Sequence, residues 1–102
     1  MTDTPSEQDA STTANALKAM AHPIRWKILC ALGDRELTVR ELIELVGTTQ
    51  SNVSQHVEIL RTKNIIASRR DGNKVFCRVK NKELQTLIDN MRGVLCPTNL
   101  QE

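Results

Sequence analysis

The chain has 102 residues, of which 39% are hydrophobic and 2% aromatic, and its formal net charge is +2 at pH 7. This length allows one domain with one modest core. Because Trp26 and Phe76 are its only aromatic residues, the core must be built from Leu, Ile, Val and Ala, which favours packed helices over a β-sandwich. We expect a mainly helical domain with one β-hairpin.

The ends of the chain are predicted to be tails, with residues 1–12 disordered, the folded domain at 13–96 and a C-terminal tail at 97–102. The first ten residues are polar and include three acids and no base, a composition that does not form a core. They lack the basic and apolar regions of a secretory signal, and no run in the chain is long enough to span a bilayer. We therefore expect a cytoplasmic protein without membrane contact.

Two helices are predicted ahead of the central motif. Ser11 or Thr12 can cap the first helix, in which Leu17 and Met20 belong to the apolar set. Pro23 occupies the first position of the second helix, where its missing amide proton costs nothing. The buried side of that helix is predicted to consist of Ile24, Ile28, Leu29 and Leu32.

The next segment has the pattern of a helix, a short turn and a second helix. Thr38 and Glu41 have the spacing of a capping box, in which each side chain accepts from the other residue's amide. Gly47 stands where a left-handed residue would end this helix, and Thr48-Thr49 offer an N-cap for the next. The turn is therefore about three residues long, as a helix-turn-helix requires.

The second helix of this pair combines an apolar face, made by Val53, Val57 and Leu60, with a short polar face. Polar outer faces are normal on surface helices, but a merely solvated helix usually carries Lys and Glu. Gln and Asn can bond adenine in a bidentate way, and Ser or Thr can reach a base or a phosphate. For His56 we expect a bond to DNA or to another helix, and no metal. The predicted DNA contacts are Thr49, Gln50, Ser51, Asn52, Ser54, Gln55 and His56.

A basic hairpin is predicted after this helix, with Asn64 ending the helix and Asp71-Gly72-Asn73 forming the turn. Residues 61–82 contain eight basic residues and one acid, a local balance of +7 against +2 for the whole chain. Such a concentration indicates contact with phosphates, although exposed strand edges also use lysine to stay soluble. The predicted contacts of this wing are Arg69, Arg70 and Lys74.

The last helix is predicted at residues 81–95 and is long for a domain of this size. Such a helix at the edge of a domain often has more apolar face than one subunit can cover, and DNA-binding proteins of this class gain affinity by pairing two half-sites. We therefore predict a homodimer formed through the first and last helices. The alternative is that the helix packs only on its own core. Its apolar positions are Leu84, Leu87, Ile88, Met91, Val94 and Leu95.

Four segments, in order and spacing, resemble the ArsR/SmtB family of bacterial repressors: Ala21–Leu29, Leu37–Leu42, Thr49–Arg61 and Arg69–Phe76. The match covers about residues 13–96. The resemblance implies a homodimeric winged helix that represses transcription by occupying an inverted repeat of double-stranded DNA and that releases it on sensing an inducer. It places Gln50, Ser51, Ser54, Gln55 and His56 in the groove and Arg69, Arg70 and Lys74 on the wing.

Many members of that family sense metals, but two of their known sites are missing here. Thr38 and Arg40 stand where one site would resemble a pair of cysteines, and Asn90 and Met91 follow Asp89 where another would resemble Asp-x-His. Zn, Cd or Ni would demand thiolates or imidazoles at those positions. We predict no metal ligands and no cofactor.

Three cysteines remain as candidates for sensing. Cys30 and Cys96 match the pair found in the branch of the family that resembles sulfide-, persulfide- and redox-responsive repressors. The resemblance therefore implies a dithiol switch, bridged by a disulfide or a longer polysulfide, with reactive sulfur species as inducer. Cys77 is expected to be a strand-packing residue.

The sequence is also compatible with functions other than a dithiol switch. Cys30 could be a small buried hydrophobe, three thiolates could bind a soft metal(loid), or the protein could be a repressor without an inducer. Catalysis is not expected, because the sequence contains no Cys-x-x-Cys, no phosphate-binding glycine loop and no nucleophile with a credible His and acid.

Overall fold

The computed structural model describes residues 3–96 and shows five helices and three short strands in that range. No helix among these residues is long and apolar enough to cross a membrane. In chain order the elements are α1 (Glu7–Met20), α2 (Pro23–Leu32), β1 (Leu37–Thr38), α3 (Val39–Val46), α4 (Gln50–Thr62), β2 (Ile66–Asp71), β3 (Lys74–Val79) and α5 (Lys82–Leu95).

The strands form an antiparallel sheet in the order β1-β3-β2. Asp71 pairs with Lys74, so Gly72 and Asn73 form a two-residue hairpin loop, and the φ of +65° at Gly72 suits the first position of a type II′ turn. The predicted mainly helical fold with a hairpin wing is confirmed. Sequence analysis missed the two-residue strand β1, which lies where the extended N-cap Thr38 leads into α3.

The core lies where α2, α3 and α4 pack together over the sheet. Its largest fully buried side chains include Ile28, Leu32, Leu42 and Leu60. The predicted apolar face of α4 is confirmed, because all three of its members are buried, and the predicted face of α2 is confirmed except that Ile24 is half-buried. A helix buried along one stripe must expose the opposite side to solvent.

The start of α1 differs from the prediction. The helix begins at Glu7, because Ser6 is its N-cap and accepts a hydrogen bond of 3.1 Å from the Asp9 amide. Glu7 and Asp9 in the first turn also suit the positive end of the helix dipole. Residues 7–12, predicted to belong to a disordered tail, are therefore helical. The predicted C-terminal tail at 97–102 lies outside the described residues.

The predicted signals at the ends of α3 and α4 are confirmed. The Glu41 amide donates to Thr38 Oγ1 at 3.1 Å and the Thr38 amide to Glu41 Oε1 at 2.8 Å, which completes the capping box. Gly47 and Asn64 adopt left-handed φ angles of 80° and 61°. These local devices fix the length of α3 and the direction in which the chain enters α4.

Replacing Thr38 with Ala should lower the free energy of unfolding by about 1 kcal/mol, because the Glu41 amide loses its acceptor. Urea denaturation followed by circular dichroism measures the change. Thr13→Ala, on an exposed position inside α1, is the control and should change the stability by less than about 0.5 kcal/mol. Equal losses in the two variants would contradict the capping role.

Candidate nucleic-acid interface and thiol pair

The exposed face of α4 carries most of the residues predicted to contact bases. The helix begins after Thr49, whose side chain accepts from the Asn52 amide at 3.1 Å. Because the buried stripe of α4 holds the helix against α2 and α3, the polar side chains on its other side face outward. The predicted contacts that are exposed are Thr49, Gln50, Ser51, Ser54 and Gln55.

Two predicted contacts on α4 are half-buried and bonded within the protein. The Asn52 side-chain amide donates to Thr48 Oγ1 at 3.0 Å and so braces the turn between α3 and α4. The His56 Nδ1 accepts from Arg25 Nη1 at 3.1 Å, which is the inter-helix bond expected for this histidine. Both side chains therefore hold the geometry of α4, in contrast to the five exposed ones.

Arg69 of the wing makes a bidentate ion pair with Glu36, the residue just before β1. Its Nε and Nη2 donate to the two carboxylate oxygens at 2.9 Å each, and its guanidinium lies 4.6 Å from the centre of the Phe76 ring. The hydrogen bond from Arg69 lowers the pKa of the Glu36 carboxyl. Arg69 thus fixes the wing against the segment that follows α2, a role that sequence analysis missed because the partners are 33 residues apart.

Arg70 and Lys74 stand exposed on the wing beside the turn. Arg70 pairs across the hairpin with Val75, and Lys74 with Asp71. Flexible cations at an exposed hairpin can reach phosphates without a change of backbone. Unlike Arg69, neither of them makes a bidentate contact with a carboxylate among the described residues.

Cys30 and Cys96 lie near each other at the junction of α2 and the end of α5. Both are half-buried, and Cys96 is the C-cap of α5, with its amide bonded to Arg92 O at 3.0 Å. Burial raises the pKa of the Cys30 thiol; Arg92 opposes this, whereas Cys96 and Asp89 reinforce it. Interactions of this kind fall off with distance, so Cys30 lies on the side of α2 that is near the C-terminal half of α5.

Cys96 also lines an open apolar groove of about 580 Å³. The groove runs between α1, the start of α2 and the end of α5, and Trp26 forms part of its wall. The other lining residues are Leu17, Met20, Ala21, His22, Pro23, Met91 and Leu95.

Cys77 is placed differently from the other two cysteines. Its side chain is fully buried in β3, opposite Leu37 and Ser68, and burial raises its pKa to about 11. This matches the strand-packing role expected for it. Within residues 3–96, no three His, Cys, Asp or Glu side chains are grouped so that they could hold a metal ion.

An exposed polar helix beside a basic hairpin defines a winged helix-turn-helix, a class of DNA-binding domain. A family model described as "Bacterial regulatory protein, arsR family" matches residues 22–68. Together with the relatives below, this shows that the chain belongs to the ArsR family of DNA-binding transcriptional regulators, which are not enzymes.

Similar proteins include repressors and an activator. The biofilm growth-associated repressor of Xylella fastidiosa is 31% identical over 99% of this chain and 89% of its own length. The regulator YgaV of Escherichia coli is 35% identical over 89% of this chain and 93% of its own length. HlyU of Vibrio cholerae, named a transcriptional activator, is 33% identical over 91% of this chain and 86% of its own length.

The structure of HlyU matches this fold with a TM-score of 0.83, covering 89% of this chain and 99% of that one. A second HlyU structure, described as reduced, matches with a TM-score of 0.81 and covers 88% of this chain and 95% of that one. These similarities confirm the winged helix-turn-helix fold.

Replacing Glu36 with Gln should strengthen binding to duplex DNA and steepen its salt dependence. The change releases Arg69 from its carboxylate partner, and each added phosphate contact increases the slope of log K against log salt by about 0.9. Fluorescence anisotropy with a labelled duplex at several salt concentrations measures both quantities.

Glu83→Gln removes the same charge from an exposed site in the first turn of α5 and is the matched control. Weaker binding by Glu36→Gln than by the control would show that the ion pair is needed to hold the wing in place and that Glu36 does not compete with phosphate.

Proposed function

We propose that this protein is a transcriptional repressor whose affinity for operator DNA is switched by sulfur chemistry between Cys30 and Cys96. The observation that carries the proposal is that α2 packs on α5 and places two half-buried thiols in this junction, Cys30 on α2 and Cys96 at the end of α5. The reactive sulfur species that form the bond act as inducer, and the regulated genes are sulfur-related. Duplex DNA as the target puts the site of action in the cytoplasm.

The repressor acts as a homodimer formed through α1 and α5. Support comes from large apolar side chains left exposed on these two helices, among them Leu17 at 49%, Val94 at 80% and Leu95 at 70%. Exposed leucine and valine clustered on two neighbouring helices favour burial against a second copy, because removing apolar surface from water is favourable. A two-fold dimer in turn suits an inverted-repeat operator.

In this dimer the two α4 helices enter the major groove about one helical turn, or a multiple of it, apart. Gln50, Ser51, Ser54 and Gln55 supply the groups that read base edges. Arg70 and Lys74 approach the phosphates, which carry no sequence information of their own. Repression follows from occupying the operator, the activity named for the Xylella relative.

The switch begins with attack by the Cys30 thiolate on the sulfane sulfur of a persulfide such as glutathione persulfide. This forms a Cys30 persulfide and releases glutathione as a thiol. Attack by the Cys96 thiolate on the Cys30 sulfur then forms a disulfide and releases hydrogen sulfide. If both cysteines are persulfidated first, their condensation gives a three-sulfur bridge and one hydrogen sulfide. In each route one donated sulfane sulfur is reduced to sulfide as the two protein thiols are oxidised; in the three-sulfur route a second donated sulfane sulfur stays in the bridge.

The two environments explain why this pair, and not Cys77, is the site of reaction. Thiolates, not thiols, are nucleophiles. The pKa of Cys30 is raised by burial, but Arg92 opposes that effect, and both Cys30 and Cys96 are only half-buried. Burial raises the pKa of Cys77 to about 11, and its side chain is enclosed by the sheet. A bridge between α2 and α5 would then bias the spacing of the two α4 helices. The name "reduced" given to one HlyU structure supports thiol redox chemistry in a relative.

Treatment of the reduced protein with glutathione persulfide should give a bridge between Cys30 and Cys96 with zero or one added sulfur, found by intact mass and peptide mapping. Peroxide should give the disulfide alone. Trp26, on the α2 face near Cys30, offers a fluorescence change as a second readout. Operator affinity should fall at least tenfold in parallel, or about 1.4 kcal/mol.

Cys77→Ala is the matched control and should keep the full response, whereas Cys30→Ser should lose it. A response that survives Cys30→Ser would refute the thiol switch, and unmodified cysteines would leave a repressor without an inducer or one that senses a metal(loid).

Two further variants should distinguish contacts to bases from contacts to phosphates. Gln55→Ala should reduce the preference for a selected operator over random duplex DNA, because a bidentate base contact contributes about 1–3 kcal/mol of discrimination. Arg70→Ala should weaken binding to both duplexes alike and lower the salt slope by about 1. Anisotropy titrations on both duplexes measure these changes, and equal losses on both for Gln55→Ala would refute its role.

A further inference from the structure

Three helices meet at the side chain of Arg25 in α2. Its Nε donates to the Ala19 carbonyl near the end of α1, and its Nη1 donates to His56 Nδ1 in the middle of α4 at 3.1 Å. Arg25 and His56 are both half-buried. One planar guanidinium therefore joins α1, α2 and α4 through bonds at two different edges, which an ammonium group cannot reproduce.

His22 completes this junction. It is the N-cap of α2, where its Nδ1 accepts from the Ile24 amide at 3.1 Å, and its ring lies 4.4 Å from that of His56, centre to centre. An imidazole nitrogen accepts a hydrogen bond only when it carries no proton. Each Nδ1 therefore accepts from a residue of α2: that of His22 caps the helix at Ile24, and that of His56 holds α4 to Arg25.

This junction contains both histidines of the chain. Histidine is the side chain whose unperturbed charge changes between pH 5 and 8. The charged or titratable groups acting on His56 are His22 and Arg25 of α2, with no carboxylate acting on it from any element in residues 3–96. A proton on His56 would therefore lie beside the Arg25 guanidinium and the His22 ring, without a carboxylate to stabilise it.

The sign of the pH effect follows from these contacts. Burial first, then His22 and Arg25, lower the pKa of His56 below its ordinary 6.5. A histidine with a lowered pKa binds its proton more readily when unfolded, so the stability that it contributes is complete above pH 6.5 and is lost as the pH falls through the folded-state value. Protonation at Nδ1 would also turn the acceptor facing Arg25 into a donor.

We propose that Arg25 is a positioning residue for α4, and that its hydrogen bond to His56, beside the His22 ring, makes this positioning sensitive to acid. When the junction opens, α4 loses its anchor to α1 and α2 and its base contacts misalign, while the phosphate contacts of the wing persist. The ratio of operator affinity to random-DNA affinity falls, although total charge attraction does not. The proposal rests on the DNA-binding part of the proposed function and is independent of Cys30 and Cys96.

Variants at Arg25 test the positioning role under reducing conditions at pH 8. The probes are a duplex that the native protein selects from a random-sequence pool and an unselected duplex of equal length. Arg25→Ala and Arg25→Lys should both lower the ratio of the two affinities about tenfold, the scale of one lost base contact. Lys27→Ala, an exposed position on the same helix, removes one charge and should lower both affinities alike. Native-like discrimination by Arg25→Lys would overturn the proposal.

The acid sensitivity is tested on the native protein, without any substitution. The result therefore does not depend on whether a variant folds. Nitrogen-15 NMR of the imidazoles should show Nδ1 unprotonated in both rings at pH 8. The affinity ratio should fall between pH 8 and pH 5.5, with its midpoint below 6.5. A constant ratio over this range, or a protonated Nδ1 at pH 8, would overturn the proposal. If no duplex is selected at all, DNA reading itself fails, and the NMR titration alone then decides whether the junction opens.

Discussion

The burial of one stripe of α4 is the constraint on which the rest of the structure depends. Val53 and Leu60 are fully buried between α2 and α3, and each such side chain contributes about 1.5–3 kcal/mol when removed from water. Because the helix repeats every 3.6 residues, this burial also decides which side chains face outward. The contacts that stabilise the core therefore keep Gln50, Ser54 and Gln55 on the exposed side of α4, and a change in this packing would also change how these side chains are presented.

The basic residues around the hairpin have different contacts, which a count of charges does not show. Arg69 has the same charge as Arg70 and precedes it in the chain, yet a bidentate carboxylate and an aromatic ring hold Arg69 in place. In the alternation of a strand the two side chains leave on opposite faces. Arg69 therefore orients the wing, whereas Arg70 is exposed without such a carboxylate contact among the described residues, so the local balance of +7 includes at least one charge that is already paired within the protein.

Local signals in the sequence were sufficient for most of the fold. The capping box at Thr38, the left-handed Gly47 and Asn64, and the apolar periodicity of α4 each act within a few residues, so sequence spacing alone reports them. The start of α1 was misplaced because several residues can cap that helix and its early turns are exposed, which leaves no burial pattern to choose among them. Sequence analysis did not find the contacts between distant residues, because Glu36 and Arg69 are 33 residues apart and Arg25 and His56 are 31 residues apart.

Helix α2 connects the two proposed forms of control. Its first turns carry Arg25 toward α4, and its last turn carries Cys30 toward α5. Cys30 and Arg25 lie on the same ten-residue helix, so a sulfur bridge that displaced α2 at Cys30 would also displace the anchor of α4 at Arg25. Two signals that bias one element are coupled, and the coupling is reciprocal at equilibrium. Protonation of His56 would then change the ease with which the thiol pair closes, and the closed thiol pair would change the proton affinity of His56.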